Sequence, residues 1–254
     1  MTWLPERFES SAVTLAMRKR ARAATVKLAV DFDGPKIRLG TCTRKNRCRS
    51  GLCPICVRRL RIKLMRFLDR GGLSARQWWH VTIKVADWTI APGDVSPFGA
   101  LRDRSEIKAF AGRLRRVSLG TLVLLGSVEV VFKTVANRPV GKVFHAHFVV
   151  SGVTKSQISD AARNSFKPDL DAPRPFDIQP VGHEQSDFVR VASYSFAQPY
   201  WKTAYVDEGS RRGISQFPKT NELAELIGNL GPHPWNGRLI MIGMRFDRGT
   251  FRLT

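Results

Sequence analysis

The sequence is short of several things. Acidic residues number 21 against 42 lysines and arginines, cysteine occurs four times and tyrosine three times. No apolar run approaches ~20 residues, which excludes a membrane-spanning helix. Met1 to Ser11 has no positive flank followed by an apolar stretch, so no secretory leader is expected and the expected compartment is the cytoplasm. No G-x-x-x-x-G-K-[ST] phosphate loop occurs, which argues against a fused ATP-driven helicase. There is no internal repeat and no low-complexity segment.

What is present suits a packed protein. The 254 residues are 43% hydrophobic and 9% aromatic, enough for one large domain, or one with a small appendage. The shortage of acids leaves a net charge of +21. A field of that size favours a polyanionic partner, and nucleic acid is the leading choice. A membrane surface is disfavoured, because no terminal basic amphipathic helix carries an aromatic apolar face. Between Arg18 and Arg70 there are 17 basic residues and three acids, a net of +14, so two thirds of the charge sits in about a fifth of the chain.

The four cysteines, Cys42, Cys48, Cys53 and Cys56, fall in that basic segment with spacing C-x5-C-x4-C-x2-C. Cys53-Pro54-Ile55-Cys56 is a tight knuckle that can present two thiolates to one tetrahedral metal, so structural Zn2+ is the favoured reading. Two disulfides or free thiols are the alternatives, and disulfides are uncommon in a cytosolic protein. Val57, Leu60, Leu64 and Phe67 or Leu68 then recur at helical spacing, with Gly71-Gly72 as a stop. Arg58, Arg59, Arg61, Lys63 and Arg66 cover much of the remaining surface. A solvated basic face is the plain reading, and a zinc-pinned helix that rests on phosphates is the favoured one.

Residues 1–41 read as an arm with a short helix and a strand-like stretch at Val26 to Val30. Residues 76–88 alternate as a half-buried strand: Trp79, Val81, Ile83 and Val85 point one way, and His80, Thr82 and Lys84 the other. Helices are expected at Ser105 to Val117 (Ile107, Phe110, Leu114 and Val117 inward), Thr154 to Phe166, Ser186 to Gln198 and Glu222 to Leu230. Gly120 to Thr134 and Val140 to Ser151 form a hairpin about the turn 135–139. Pro168 to Pro180 reads as a loop, residues 206–220 as polar, and Arg238 to Phe246 as a final strand, with Phe251 to Leu253 as its partner. The expected class is α+β, a mostly antiparallel sheet with flanking helices plus a small N-terminal zinc module. The expected divisions are 1–72 (basic, zinc-bearing), 73–220 (core) and 221–254 (a C-terminal helix and strand on the core).

Chemistry concentrates on the hairpin. His145 and His147 flank Ala146, so on a strand both imidazoles project from one face. With the turn centred near Asn137-Arg138, position 129 faces about position 146, and position 129 is a glutamate in an otherwise apolar strand. Glu129, His145 and His147 can therefore converge on one cation as a facial two-histidine, one-carboxylate set. A non-haem iron oxygenase could use the same set, but would predict a jelly roll, no zinc knuckle and no such charge. The three tyrosines, Tyr194, Tyr200 and Tyr205, lie within 12 residues of one another. A metal site, a tyrosine and this charge suggest attack of a phenolate on a phosphodiester.

From about Cys48 to Gln198 the chain resembles the HUH endonucleases, and within them the rolling-circle replication initiators of small plasmids and related phages. Cys48-Arg49-Ser50-Gly51-Leu52-Cys53-Pro54-Ile55-Cys56-Val57-Arg58-Arg59 loosely follows their C-x-x-R-x-C-P-x-C-x-x-R-R element, without its interior arginine. Trp79 to Lys84 matches their first strand motif, Gly126 to Val130 their Gly-x-x-Glu-Val strand, and His145-Ala146-His147 their His-hydrophobic-His motif. The tyrosine motif departs: with the nucleophile at Tyr194, Arg190 stands where a glutamate is usual, and Ser193 and Ala197 where lysines are usual. The resemblance implies a nickase that binds Mg2+ or Mn2+ through Glu129, His145 and His147. Tyr194 is the first candidate nucleophile, Tyr200 the second and Tyr205 the third, and Lys202 is a substitute cation. It implies origin DNA as partner, held by the α-helical arginines with His80, Thr82 and Lys84, and host helicase and polymerase as collaborators. The alternatives are a transposase or relaxase of the same superfamily, an inactive descendant, and a zinc-containing DNA-binding regulator.

Overall fold

The β-branched runs at the centre of the chain meet in one sheet. The computed structural model describes residues 11–31, 42–43, 46–48, 53–70, 73, 76–90, 102–118, 120–135, 138–168, 173–182, 184–194, 200–205, 214–216, 218–230, 239–247 and 250–254. For residues 11–13, 25–31, 70, 85–90, 132–135, 138–142, 185–186, 193–194, 200–205, 214–216, 225–226 and 228–230 it describes the backbone alone. In chain order the elements are α1 (Ser11–Asp31), α2 (Pro54–Arg70), β1 (Trp78–Ile90), α3 (Ser105–Val117), β2 (Val123–Val135), β3 (Arg138–Ser151), α4 (Lys155–Arg163), β4 (Phe176–Pro180), α5 (Gln185–Tyr194), β5 (Tyr200–Tyr205), β6 (Ile214–Gln216), α6 (Thr220–Leu230), β7 (Leu239–Ile242), β8 (Met244–Asp247) and β9 (Thr250–Leu253). The class is α+β.

Five strands, in the order β4-β1-β3-β2-β7, pair antiparallel. The outer edge of β2 is shared. Its first half carries β7, and its second half carries β5, which runs parallel to it and bears β6 in turn. Strands β8 and β9 form a separate ribbon.

The two faces of the sheet are covered differently. On one, Val81, Ile83, Val128, Val130, Phe144, Ala146 and Phe148 are buried beneath Ile107, Phe110 and Leu114 of α3 and Ile158, Ala161 and Ala162 of α4. Helix α4 starts at a capping box in which Thr154 and Gln157 satisfy each other's backbone amides. Gly126 sits on this face because a Cβ there would collide with the Phe148 ring. On the opposite face, Trp78, Leu125 and Val149 are buried beneath Leu60, Leu64 and Leu68 of α2, Phe188, Val189 and Ala192 of α5, and Phe251 of β9. Trp78 packs on Phe188 with ring centroids 4.8 Å apart.

The hairpin register differs from the one expected. The turn is tighter: Val135 pairs with Arg138 and Thr134 with Pro139, which leaves a two-residue connection. Lys133 then pairs with Gly141, so Val140 is an extra residue, a β-bulge. Beyond it Glu129 pairs with His145, not with position 146. Because side chains alternate, a shift of one residue exchanges the faces of a strand. Without the bulge Glu129 would pair with Phe144, on the apolar face.

Other expectations need correction. Val26 to Val30 is not a strand but the last part of α1. Its β-branched residues follow an alanine-rich segment, and Ala21 and Ala24 are buried in one cluster with Leu223, Ala224 and Ile227 of α6. That packing overrides local strand propensity. Val117 is exposed at the end of α3. Part of the expected loop 168–180 is β4, an edge strand whose two prolines, Pro175 and Pro180, stand before it and at its end. The segment 238–246 is two strands, broken at Gly243, whose φ of 69° is open to glycine but strained for other residues.

Deleting Val140 should leave Glu129 opposite His145, because only the extra residue is lost. Inserting one alanine between Lys142 and Val143 is instead expected to bring Phe144 opposite Glu129 and to part the buried carboxylate from its imidazoles. An unpaired buried charge costs about 3–5 kcal/mol, so urea unfolding of the insertion variant should show a loss of at least about 3 kcal/mol.

Candidate metal centre

The register lays out a small grid on the face opposite α3 and α4. Lys84, His145 and Glu129 stand side by side on β1, β3 and β2, and Thr82, His147 and Ser127 form the adjacent row. Asp177 of β4 pairs with Thr82. Glu129 is 7% exposed and His147 4%, while His145 is half-buried. His147 Nε2 lies 2.8 Å from Glu129 Oε1, and His145 Nδ1 lies 3.8 Å from the same oxygen. The other nitrogen of His147, Nδ1, lies 3.2 Å from Thr82 Oγ1. The His80 ring is stacked on that of His147 at 5.7 Å, with 8° between their planes.

One ligand atom each from Glu129, His145 and His147 lies within 4.8 Å of the others. Cis and trans ligands of a cation bound at about 2.1 Å are about 3.0 and 4.2 Å apart, so this set could hold a divalent metal with little rearrangement. One carboxylate and two imidazoles could bind a metal, and three protein ligands are fewer than an octahedral cation takes. A buried carboxylate needs such a partner, since its desolvation is costly otherwise.

His80, expected as a phosphate contact, is a poor one. Burial first, and the adjacent His147 second, lower its pKa from the ordinary 6.5 to about 4, against the opposing pull of Asp177 and Glu129. It carries no charge at neutral pH. Thr82 faces His147, and Lys84 is the exposed cation of the row.

The cysteines form a second group. The Sγ atoms of Cys42, Cys48, Cys53 and Cys56 lie within 4.8 Å of one another, and none is in a disulfide. Cys42 and Cys48 each approach Cys56 at 3.7 Å. That is far beyond the 2.05 Å of a disulfide. It matches the edge, about 3.8 Å, of a tetrahedron with metal–sulfur bonds of about 2.3 Å, so the group could bind zinc. Three of the four are buried, and Arg18 of α1 donates to the Cys42 carbonyl. Hydrogen bonds from Cys48 and Cys53 pull Cys56 down to about 4, which favours the thiolate that a metal needs.

Helix α2 leaves this cluster with Val57, Leu60, Leu64 and Leu68 inward. Arg59 and Arg66 are exposed, and Arg58 and Lys63 half-buried. Arg61, expected among the phosphate contacts, is only 3% exposed and belongs to the interior. It lies four residues after Val57 and three before Leu64, within the inward stripe, a spacing that the sequence already contained. Burial, and then the neighbouring Arg59 charge, lower the pKa of Lys63.

Tyr194 ends α5, on the same sheet face as Glu129. Tyr200 and Lys202 pair in register with Val130 and Phe132, one residue out of step with Glu129, whereas Tyr205 pairs with Val135, in step but six residues along. The side chains of these four residues lie outside the described residues. Ser127 and Asp177 were missed. Ser127 could have been found two residues before Glu129 on the same strand face, whereas Asp177 gave no signal in a segment read as loop. Among the described residues no helix is long and apolar enough to cross a membrane.

Two outcomes follow from these groups. Unfolded His80 takes up a proton near 6.5 and the folded residue only near 4, so the unfolded chain binds more protons between those values. Its contribution is complete above 6.5 and is lost as pH falls toward 4. Measured by urea unfolding without added Mg2+ or Mn2+, that loss should be about 3 kcal/mol larger in the wild type than in His80→Gln. Metal analysis of the purified protein should find about one zinc per chain, and Cys53→Ser should lose zinc and melt at a lower temperature.

The chain matches no protein-family model, no curated protein and no solved structure.

Proposed function

We propose that this protein is a metal-dependent DNA nicking and rejoining enzyme of the HUH type that initiates rolling-circle replication. The observation that carries the reading is the convergence of Glu129, His145 and His147 on one sheet face, with the tyrosine-ended helix α5 packed on that same face. Glu129, His145 and His147 would hold Mg2+ or Mn2+, which supplies Lewis-acid polarisation of a phosphodiester oxygen. The phenolate of Tyr194 attacks phosphorus. A bond forms from its oxygen to the 5′ phosphate, the bond to the 3′ oxygen breaks, and that oxygen leaves as a 3′ hydroxyl after taking a proton. Attack by a new 3′ hydroxyl reverses the step and rejoins the strand.

DNA is held chiefly by phosphate contacts. Lys84 stands beside His145, while Arg58, Arg59 and Lys63 line α2 where it leaves the cysteine cluster. Crowded cations such as Arg59 and Lys63 repel each other, and a bound polyanion relieves that repulsion. The four cysteines hold zinc as a structural pin for α2. Host helicase and polymerase would use the nicked end.

The test is a covalent adduct. The protein is incubated with a labelled single-stranded DNA library and Mn2+, and run on a denaturing gel. The wild type should form an adduct whose peptide maps to Tyr194. Tyr194→Phe should form none, and His145→Ala at most about a hundredth, a loss of several kcal/mol of transition-state stabilisation. An adduct on Tyr205 would move the nucleophile. Salt-sensitive DNA binding with no adduct would overturn the reading in favour of a non-catalytic zinc-bearing regulator.

A further inference from the structure

We infer that Thr82 is a positioning residue of the metal centre, whose hydroxyl serves His147 in both of its tautomers. The inference rests on the metal-site reading of Glu129, His145 and His147. Thr82 and His147 are direct cross-strand partners, and Thr82 is flanked on its other side by Asp177 of β4. Ladder pairing on both edges, and the stiff χ1 of a β-branched residue, fix where the hydroxyl sits. Its oxygen lies 3.2 Å from His147 Nδ1, while Nε2 on the far side of the ring lies 2.8 Å from Glu129. Stacking on His80 limits tilting of the ring.

A neutral imidazole has one N–H and one lone pair. When no cation is bound, the short approach to the carboxylate requires the proton on Nε2, so that Nε2–H donates to Glu129. Nδ1 then accepts, and the Thr82 hydroxyl donates to it. When a cation is bound, Nε2 must turn a lone pair toward it, so the proton belongs on Nδ1. Nδ1–H now donates, and the Thr82 oxygen accepts. One proton leaves Nε2 for water and one is taken up at Nδ1 from water, so the ring stays neutral. Only the hydroxyl hydrogen turns; neither ring nor backbone moves. A carboxylate or carbonyl, the usual supports of metal-bound histidine, can only accept and fix one tautomer. A hydroxyl both donates and accepts, so position 82 suits a site that is loaded and emptied without rearrangement. Thr82 was expected to touch DNA; the geometry gives it to His147 instead.

The experiment titrates Mn2+ into zinc-loaded protein and follows free Mn2+ by electron paramagnetic resonance. The wild type is compared with Thr82→Val, which keeps shape and loses the hydroxyl, and Thr82→Ser, which keeps the hydroxyl and loses the branch. The positioning role expects Thr82→Val to bind about 10–100-fold more weakly, with Thr82→Ser close to the wild type. A purely structural role expects the reverse order, since valine suits a strand better than serine. Wild-type binding matched by Thr82→Val would overturn the inference. A second measurement needs no variant. Ring 15N shifts of His147 should report Nε2–H without cation and Nδ1–H with Mg2+, and an unchanged tautomer would equally overturn it. A wild type with no Mn2+ site sensitive to Glu129→Gln would sink the metal-site reading itself, a separate result.

Discussion

A carboxylate at 7% exposure inside a sheet is the constraint on which the rest of the arrangement depends. Glu129 could not be held there by apolar neighbours, and its desolvation is offset only by what stands across from it. One strand supplies both histidines, and the next supplies Thr82 and Lys84. The bulge at Val140 decides whether these groups meet at all, because it sets which face of β2 looks toward β3's imidazoles. A local irregularity at the turn end of a hairpin thus governs the chemistry four positions along the partner strand, from Lys133 to Glu129.

The division of the sheet follows from the same alternation. One face is apolar from β1 to β2 and takes two helices, as antiparallel sheets with one dry side do. The other is apolar only at one end, under α2 and α5, and polar where Glu129, His145 and His147 lie. The candidate centre therefore borders a packed core rather than sitting on an open surface. That explains the depressed titration of His80 and the burial of His147.

Much of this was legible in the chain. The His-x-His spacing, the lone glutamate in an apolar run and the four-cysteine cluster each imposed a geometric demand that a strand or a knuckle could meet. The amphipathic spacing of α3 and α4 was equally plain. What was missed has physical reasons. Where the pairing starts and where it shifts are fixed by backbone geometry at residues 133–135 and 138–141, so the exact partner of Glu129 could not be read from alternation alone. β5 and β6 are only six and three residues long, and gain their ladder bonds from the sheet that receives them. Arg61 was assigned by charge although its spacing placed it inward. α1 kept its helical form through a β-branched stretch because of tertiary packing, which no local window contains.

The divided outer edge of β2 has a consequence for the history of the chain. Residues 124–127 pair with residues 239–242, more than a hundred positions later, while residues 130–135 pair with residues 200–205. During synthesis, the strand that carries Glu129 therefore presents unpaired amides and carbonyls along its first half until the closing strand emerges. Such an edge is a template for foreign strands, and pairings of this sequence separation form slowly. Newly made chains are most open to aggregation in that interval. A chaperone that covers strand edges would protect this protein at the same strand that later bears its candidate metal ligand.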